Sequence, residues 1–229
     1  KASHEDAEID EGSPAARHLA VITRESDRLS RLIKNVLTFA RGQENRLAIA
    51  RREGVADDIV EATLATHRPA LEQAKIQVET DLQAKATVAL DPDAVEQILS
   101  NLLSNVEKYA RSGGWVKVST RVVANPVRVV MTVQDRGPGI APGQRELVFE
   151  PFWRASDRLS DGVTGTGIGL DIARRLARLH GGDLAVVDSP GIDGQPGFAG
   201  PSAGIDGGQH SGATFELVVV AENEPKDAS

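Results

Sequence analysis

An α+β chain, in which a long bundle-forming helix precedes an α/β domain, is the fold class the sequence predicts, and three observations predict it. Apolar residues recur at coiled-coil spacing through the first forty positions. After Gly42, short strand-period runs alternate with helix-period runs. Glycine-rich segments stand at the end of one strand and at the start of one helix, where backbone must come close to something else.

The first helix is framed by Ser13-Pro14, an N-cap followed by proline at the first helical position, and by Gly42 as its stop. Leu19, Ile22, Leu29, Ile33, Val36 and Ala40 fall at a/d spacing over 14–41, with Ser26 filling one position, which is the seam of a coiled coil or four-helix bundle. Leu32, Leu37 and Phe39 widen the stripe, so a plain amphipathic helix lying on its own domain is the alternative. A short strand follows at Leu47–Ala50, then a helix from Val55 to Lys75 carrying Pro69, then strands at Ile76–Leu82 and Thr87–Leu90. The next helix starts at Asp91 with Pro92 in its first turn, shows apolar residues at Val95, Ile98, Leu99, Leu102, Leu103 and Val106, and stops before Gly113-Gly114. Two long strands, Trp115–Val123 and Val127–Val133, join at Asn125-Pro126. A helix at about 168–180 and strands at Asp183–Asp188 and Ala213–Val220 complete the layer. Between the last two strands, 189–212 is rich in glycine with Pro190, Pro196 and Pro201, and reads as a long flexible loop. The expected division is therefore 1–42, a helical segment, and 43–229, the α/β domain.

Composition narrows the function classes. With 229 residues, 40% of them apolar, the chain can bury one sizeable core and still carry an appended element. There is no cysteine, which excludes disulfides and thiolate metal sites and is compatible with a reducing cytoplasm. A formal charge of −7 without Lys/Arg-rich runs argues against a nucleic-acid partner. No stretch approaches the roughly 20 consecutive apolar residues that cross a bilayer, and Lys1 to Gly12 is too polar for a signal peptide, so no direct membrane contact is expected from this fragment.

Four segments carry the chemistry. In Asn101-Leu-Leu-Ser-Asn105-Val-Glu-Lys108-Tyr109, Asn101, Asn105 and Lys108 lie on one helical face. A carboxamide oxygen suits Mg²⁺, which takes oxygen ligands plus waters and phosphates, and Lys108 supplies a point charge; a solvated polar stripe is the plain alternative. Asp135-Arg-Gly137-Pro-Gly139-Ile140 follows a strand, where a carboxylate can accept from an adenine amino group and glycines let backbone approach the ring, or simply make a turn. Phe149-Glu-Pro-Phe152-Trp-Arg154 precedes a polar stretch, Ala155 to Val163, with the composition of a mobile lid, and Arg154 can reach a phosphate bidentately. Gly165-Thr166-Gly167-Ile168-Gly169-Leu170 opens a helix, and amides there cradle polyphosphate. The spacing is not G-x-G-x-x-G, no apolar strand precedes it, and Gly-Lys-Ser/Thr is missing, so neither a Rossmann nor a Walker A reading fits.

In that order, NLLSNVEKYA, DRGPGI, FEPFWR and GTGIGL resemble the N, G1, F and G2 boxes of sensor histidine kinases, members of the wider ATPase family (GHKL, with the Bergerat fold) that includes gyrase and heat-shock chaperones. The resemblance covers about 13–220 and implies a two-layer α/β sandwich that holds ATP between helices and a lid. Carried over by position, Asn105 is the Mg²⁺ ligand, Lys108 and Tyr109 contact the nucleotide, Asp135 reads the adenine amino group, and Gly137, Gly139 and Ile140 shape its pocket. Arg154 and Gly165, Thr166, Gly167, Ile168, Gly169 and Leu170 manage the phosphates, with Asn101, Asn105, Lys108 and Arg154 as the catalytic set. TRESDRLSRLIKNVLTFAR is similar to the second helix of the dimerisation and histidine-phosphotransfer hairpin, which implies a homodimer through 14–41. A response regulator receiver domain is the implied partner. A cytoplasmic fragment is expected, and kinases of this type are commonly anchored in the inner membrane at full length.

The chain departs from that pattern at the long 189–212 loop and at the phosphoacceptor. Ser3-His4-Glu5 matches the start of the acceptor box, but Asp6 follows where an apolar residue is usual. A helix over 14–41 is about 40 Å long at 1.5 Å per residue, and an antiparallel partner of that length does not fit in the twelve residues before Ser13. The acceptor is therefore expected upstream. His18, His67 and His210 read as surface residues, and His180 as a helix-end residue bonding the last carbonyls. The resulting reading is an ATP-dependent protein-histidine kinase module. A gyrase- or chaperone-like ATP hydrolase is the first alternative, although the position where that class carries a general-base Glu holds Asn101, which accepts no proton. A non-catalytic ATP-binding dimeric module is the second.

Overall fold

A computed structural model describes residues 18–19, 21–22, 25–26, 29–30, 33, 35–38, 40, 47–154, 166–188 and 212–221. Ser13-Pro14, Gly42, His4, His210, Gly165, the 155–164 stretch and all of the 189–212 loop but Gly212 lie outside them. The described residues between 18 and 40 are all helical (α1). The elements that follow are β1 (Arg52–Val55), α2 (Ala56–Gln73), β2 (Gln77–Gln83), β3 (Thr87–Leu90), α3 (Pro92–Tyr109), β4 (Trp115–Val123), β5 (Arg128–Asp135), α4 (Gly169–Leu179), β6 (Asp183–Val187) and β7 (Thr214–Val220).

Five strands form one sheet in the order β2-β4-β5-β7-β6. Only the β2–β4 pair is parallel, because β3 and α3 lie between those strands in sequence and return the chain to the same end of the sheet, and the remaining pairs are antiparallel. Register places Val118 opposite Val133, Val133 opposite Phe215 and Met131 opposite Leu217, so one face of the sheet is an apolar ladder. The helices cover that face with Val60, Leu64, Leu71, Ile98, Leu99, Leu102, Leu103, Ile172 and Leu176, making one core, while Lys117, Ser119 and Thr132 on the other face stay partly accessible. Each such buried side chain contributes about 1.5–3 kcal/mol, and the two layers follow from that one-sided burial.

β1 and β3 form a separate antiparallel ribbon, and this corrects the strand read at Leu47–Ala50. Those four residues do alternate in burial, with Leu47 and Ile49 packed on the core, but the Ala50 amide donates to Asp91 Oδ2 at 2.7 Å instead of to a strand. Ladder pairing begins two residues later. His67, read as a surface residue, is 3% exposed on the inward face of α2.

Candidate functional site

α3 is specified locally at its start. Asp91 Oδ1 accepts from the amides of Asp93 (3.0 Å) and Ala94 (3.1 Å), and Pro92 occupies the first turn. The apolar stripe then faces the core and turns Asn101, Asn105 and Lys108 to the other side. Their surroundings differ. Asn101 is buried, its Oδ1 accepting from Asn35 Nδ2 of α1 at 3.1 Å, while its Nδ2 is buried without a partner. Asn105 and Lys108 are half-buried one and two turns on, and Asn105 makes no side-chain hydrogen bond among the described residues. Tyr109 is exposed at the end of the helix.

Asp135 ends β5, the central strand, and its amide donates to Ala213 across to β7. Its Oδ1 accepts from the amides of Gly137 (2.7 Å) and Ala213 (3.2 Å). Burial pushes its carboxyl above the ordinary range, and those two amide donors pull it back. Both bonds land on one oxygen, which fixes the carboxylate and leaves Oδ2 as an acceptor. Gly137 has no room for a side chain, since a Cβ there would lie 2.9 Å from Asp135 Oδ1 and 3.1 Å from the Tyr109 carbonyl. The structure therefore brings Asp135, Gly137 and Tyr109 together. Gly139 has φ +75°, a conformation that glycine adopts without strain, and Ile140 packs against the core.

The aromatic segment and the glycine segment are strapped to each other. Phe152, at φ +65°, donates its amide to the Gly167 carbonyl at 3.0 Å. A Cβ on Gly167, itself at φ +70°, would lie 2.8 Å from Phe152 Cα. Phe149 is buried edge-on to Phe215, with ring centroids 6.4 Å apart. Arg174 of α4 stacks over the Phe149 ring at 4.6 Å, binds Asp183 through two nitrogens at 2.9 and 3.0 Å, and binds Glu146 at 2.6 Å. Those partners raise the Arg174 pKa, Asp183 first, and Arg174 in turn, helped by the Leu184 amide and Arg178, holds the Asp183 carboxyl at about 2. Arg154 follows half-buried, Thr166 is exposed, Ile168 is buried as the residue before α4, and Gly169 and Leu170 begin the helix half-buried. Gly169 rests on Asn101, whose Oδ1 would be 3.2 Å from a Cβ at that position. The starts of α4 and of the Asp135 loop thus both abut α3.

His180, read as a helix-end residue, does bond the Leu176 carbonyl through Nδ1 at 2.9 Å, but it is fully buried. Its Nε2 faces the Asp91 amide at 3.2 Å, so that nitrogen accepts and the ring is neutral. Burial lowers its pKa, reinforced by the Arg51 charge and opposed by the Leu176 carbonyl and Asp91. Asn35, Arg174 and the Asp91–His180 pair were not legible as site neighbours in the sequence. A polar residue on a helix and a charged run such as Ala173-Arg174-Arg175 give no sign of distant partners.

Fold and site together define a two-layer α/β domain with a carboxylate-and-glycine turn at a strand end and a glycine-opened helix beside a polar helical face, an arrangement compatible with an ATPase-type domain. Residues 90–222 match the family described as "Histidine kinase-, DNA gyrase B-, and HSP90-like ATPase", and the chain belongs to that family. It is 30% identical over 185 residues to the sensor-like histidine kinase SenX3 of Mycobacterium tuberculosis, a match covering 81% of this chain and 45% of SenX3. The histidine kinase AdeS of Acinetobacter baumannii shares the fold at TM-score 0.63 and 22% identity, over 90% of this chain and 84% of that one. ShkA, solved full-length in complex with AMPPNP, does so at 0.66 and 24% identity, over 93% of this chain and 40% of that one. The chain spans less than half the length of the curated relatives it matches.

Proposed function

We propose that this chain is the ATP-dependent protein-histidine kinase module of a two-component signalling protein, moving the ATP γ-phosphoryl to a histidine nitrogen that later passes it to a response-regulator Asp. The observation that carries this reading is Asp135, whose Oδ1 is fixed by two backbone amides beside a glycine that admits no side chain, inside the region matched to the ATPase family. A carboxylate held in this way selects adenine through its exocyclic amino group. Gly137, Gly139 and Ile140 shape the pocket around the ring, and Tyr109 closes it from the end of α3. Lys108, Arg154 and the backbone at 165–170 take the phosphates, with Arg154 supplying a planar fork and the start of α4 supplying amides.

Phosphoryl transfer asks the protein mainly for positioning and charge neutralisation. The N–P bond to the acceptor forms as the bridging P–O bond to ADP breaks, and ADP departs with that oxygen. Asn105, whose carboxamide makes no other side-chain hydrogen bond among the described residues, fits as a Mg²⁺ ligand. No group of three His, Cys, Asp or Glu among those residues could hold a metal alone, so the nucleotide's phosphates complete the site. Bound there, Mg²⁺ neutralises phosphate charge. An ATP hydrolase of the gyrase type is disfavoured because Asn101 is a neutral amide already bonded to Asn35.

α1 serves as the dimerisation helix in this reading. Leu29 and Ile33 of its a/d seam are 57% and 59% exposed, an apolar face left for a second copy. Among the described residues no helix is long and apolar enough to cross a membrane.

Titration calorimetry with Mg-ATP tests the site. Asn105→Ala and Asp135→Ala are expected to bind at least about tenfold more weakly, the loss of one charge-assisted or metal contact. Parent-like affinity in both would show the assignment to be wrong.

A further inference from the structure

Among the described residues, helix α1 touches the domain through polar side chains. Asn35 Nδ2 donates to Asn101 Oδ1 at 3.1 Å, and Gln97 Nε2 donates to Asn35 Oδ1 at 3.4 Å and to Thr38 Oγ1 at 3.1 Å. Thr38, Gln97 and Asn101 are 9%, 8% and 9% exposed, whereas Leu29, Ile33 and Val36 of the same helix are more than half exposed. The described contact between α1 and α3 is thus a ladder of neutral amides and a hydroxyl. Such a ladder is directional, and a turn of α1 by one residue, about 100°, breaks it. It is also weak in net terms, since water replaces each bond when the surfaces part, so it opens without unfolding either helix.

The ladder ends at the nucleotide site. Asn101 Oδ1 lies against Gly169 at the start of α4, and Asn105 is one turn further along α3. Asn101 Nδ2 is buried with no partner, so the docked arrangement leaves a donor unused where α3 and α4 meet. A carboxamide in that state gains by turning toward an acceptor, and phosphate oxygens are acceptors.

We propose that Asn35 is a positioning residue acting through Asn101, such that docking of α1 by the Asn35–Asn101 bond and binding of a nucleotide triphosphate oppose each other. The inference rests on the nucleotide reading of the site. Linkage makes the opposition reciprocal: releasing α1 tightens the nucleotide, and the nucleotide loosens α1.

The full chain tests this with Mg-AMPPNP in titration calorimetry. Asn35→Ala removes both of its bonds, and Asn35→Asp keeps an acceptor for Gln97 but cannot donate to Asn101. Both are expected to bind about fivefold or more tightly than the parent. In a second measurement, spin labels on Ser30→Cys and Arg111→Cys, unique cysteines in a chain that has none, report the α1–α3 separation. Mg-AMPPNP should broaden that distribution in the parent as Asn35→Ala does without ligand. Affinities equal to or weaker than the parent's overturn the inference, and so does a lower melting temperature with unchanged affinity, the mark of a merely structural contact. Absence of binding by the parent overturns the nucleotide reading itself and this inference with it.

Discussion

Asp91→Ala removes three hydrogen bonds that one carboxylate makes to two elements. Oδ1 caps α3 through the amides of Asp93 (3.0 Å) and Ala94 (3.1 Å), and Oδ2 anchors the segment leading in from α1 through the Ala50 amide at 2.7 Å. Loss of an N-cap costs about 1 kcal/mol. The Ala50 amide is part-buried, so water replaces Oδ2 incompletely, and its loss adds about 1 kcal/mol. The bond from the Asp91 amide to His180 Nε2 is main-chain and survives the substitution. The expected total is about 2 kcal/mol, which for a domain of this size lowers the melting temperature by about 4–8 °C. Asp91→Asn keeps an oxygen for the cap but turns an amide donor toward the Ala50 amide, so it should lose about half as much. Urea unfolding followed by circular dichroism at pH 7.5, with calorimetry beside it, measures both. A loss below about 0.5 kcal/mol for Asp91→Ala, or equal losses for Ala and Asn, would refute the assignment of separate work to the two oxygens.

His180 makes stability fall on mild acidification. Burial holds its folded pKa below the ordinary 6.5, so between those values the unfolded chain binds more protons; its contribution is full above about pH 6.5 and is lost as pH falls through that window. Asp183, held at about 2, loses its contribution only below its ordinary 3.8, so equal urea midpoints at pH 5.5 and 7.5 would contradict the His180 argument. The dimer seam is tested by sedimentation equilibrium of a Leu29→Glu, Ile33→Glu variant, which should shift to lower mass; an unchanged mass rules out that seam.

Much of the fold was legible because it is locally determined. Asp91, Pro92 and the 3.6-residue apolar period specify α3 without reference to the rest of the chain, and the structure starts it at Pro92. β4 is Trp115–Val123 as read, and the cis Asn125-Pro126 bond lies in the turn to β5. What was not legible depends on long-range pairing. Nothing in the Leu47–Ala50 alternation says that Asp91, forty-one residues on, captures the Ala50 amide before a ladder can form. The parallel pairing of β2 with β4 and the insertion of β7 beside β5 are likewise tertiary choices. His67 was misread because Arg68-Pro69 beside it suggests a surface, whereas its position on α2 turns the ring inward. At the candidate site, the glycine-rich segments were readable as local motifs, whereas the bonds that Asn35 and Arg174 make to other elements were not.

α3 is held at its start and near its middle by the segments that precede it. At its start, Asp91 binds the Ala50 amide and its own amide meets His180, whose carbonyl in turn accepts from Arg51 Nη2 at 3.1 Å. Near its middle, Asn101 accepts from Asn35 and Gln97 donates to Asn35 and Thr38. Both ties are polar and directional, while the described apolar a/d positions of α1 face away from the domain. A hydrophobic contact would let α1 slide with little change in energy; hydrogen bonds at fixed positions do not. Displacement of α1 is therefore felt by α3 as discrete bonds made or lost, and α3 is the element that carries Asn101, Asn105 and Lys108 past the start of α4. If α1 and the nucleotide site are coupled as proposed, the coupling runs through the body of α3, and the side chains that set it, Asn35 and Asp91, touch no nucleotide in this reading.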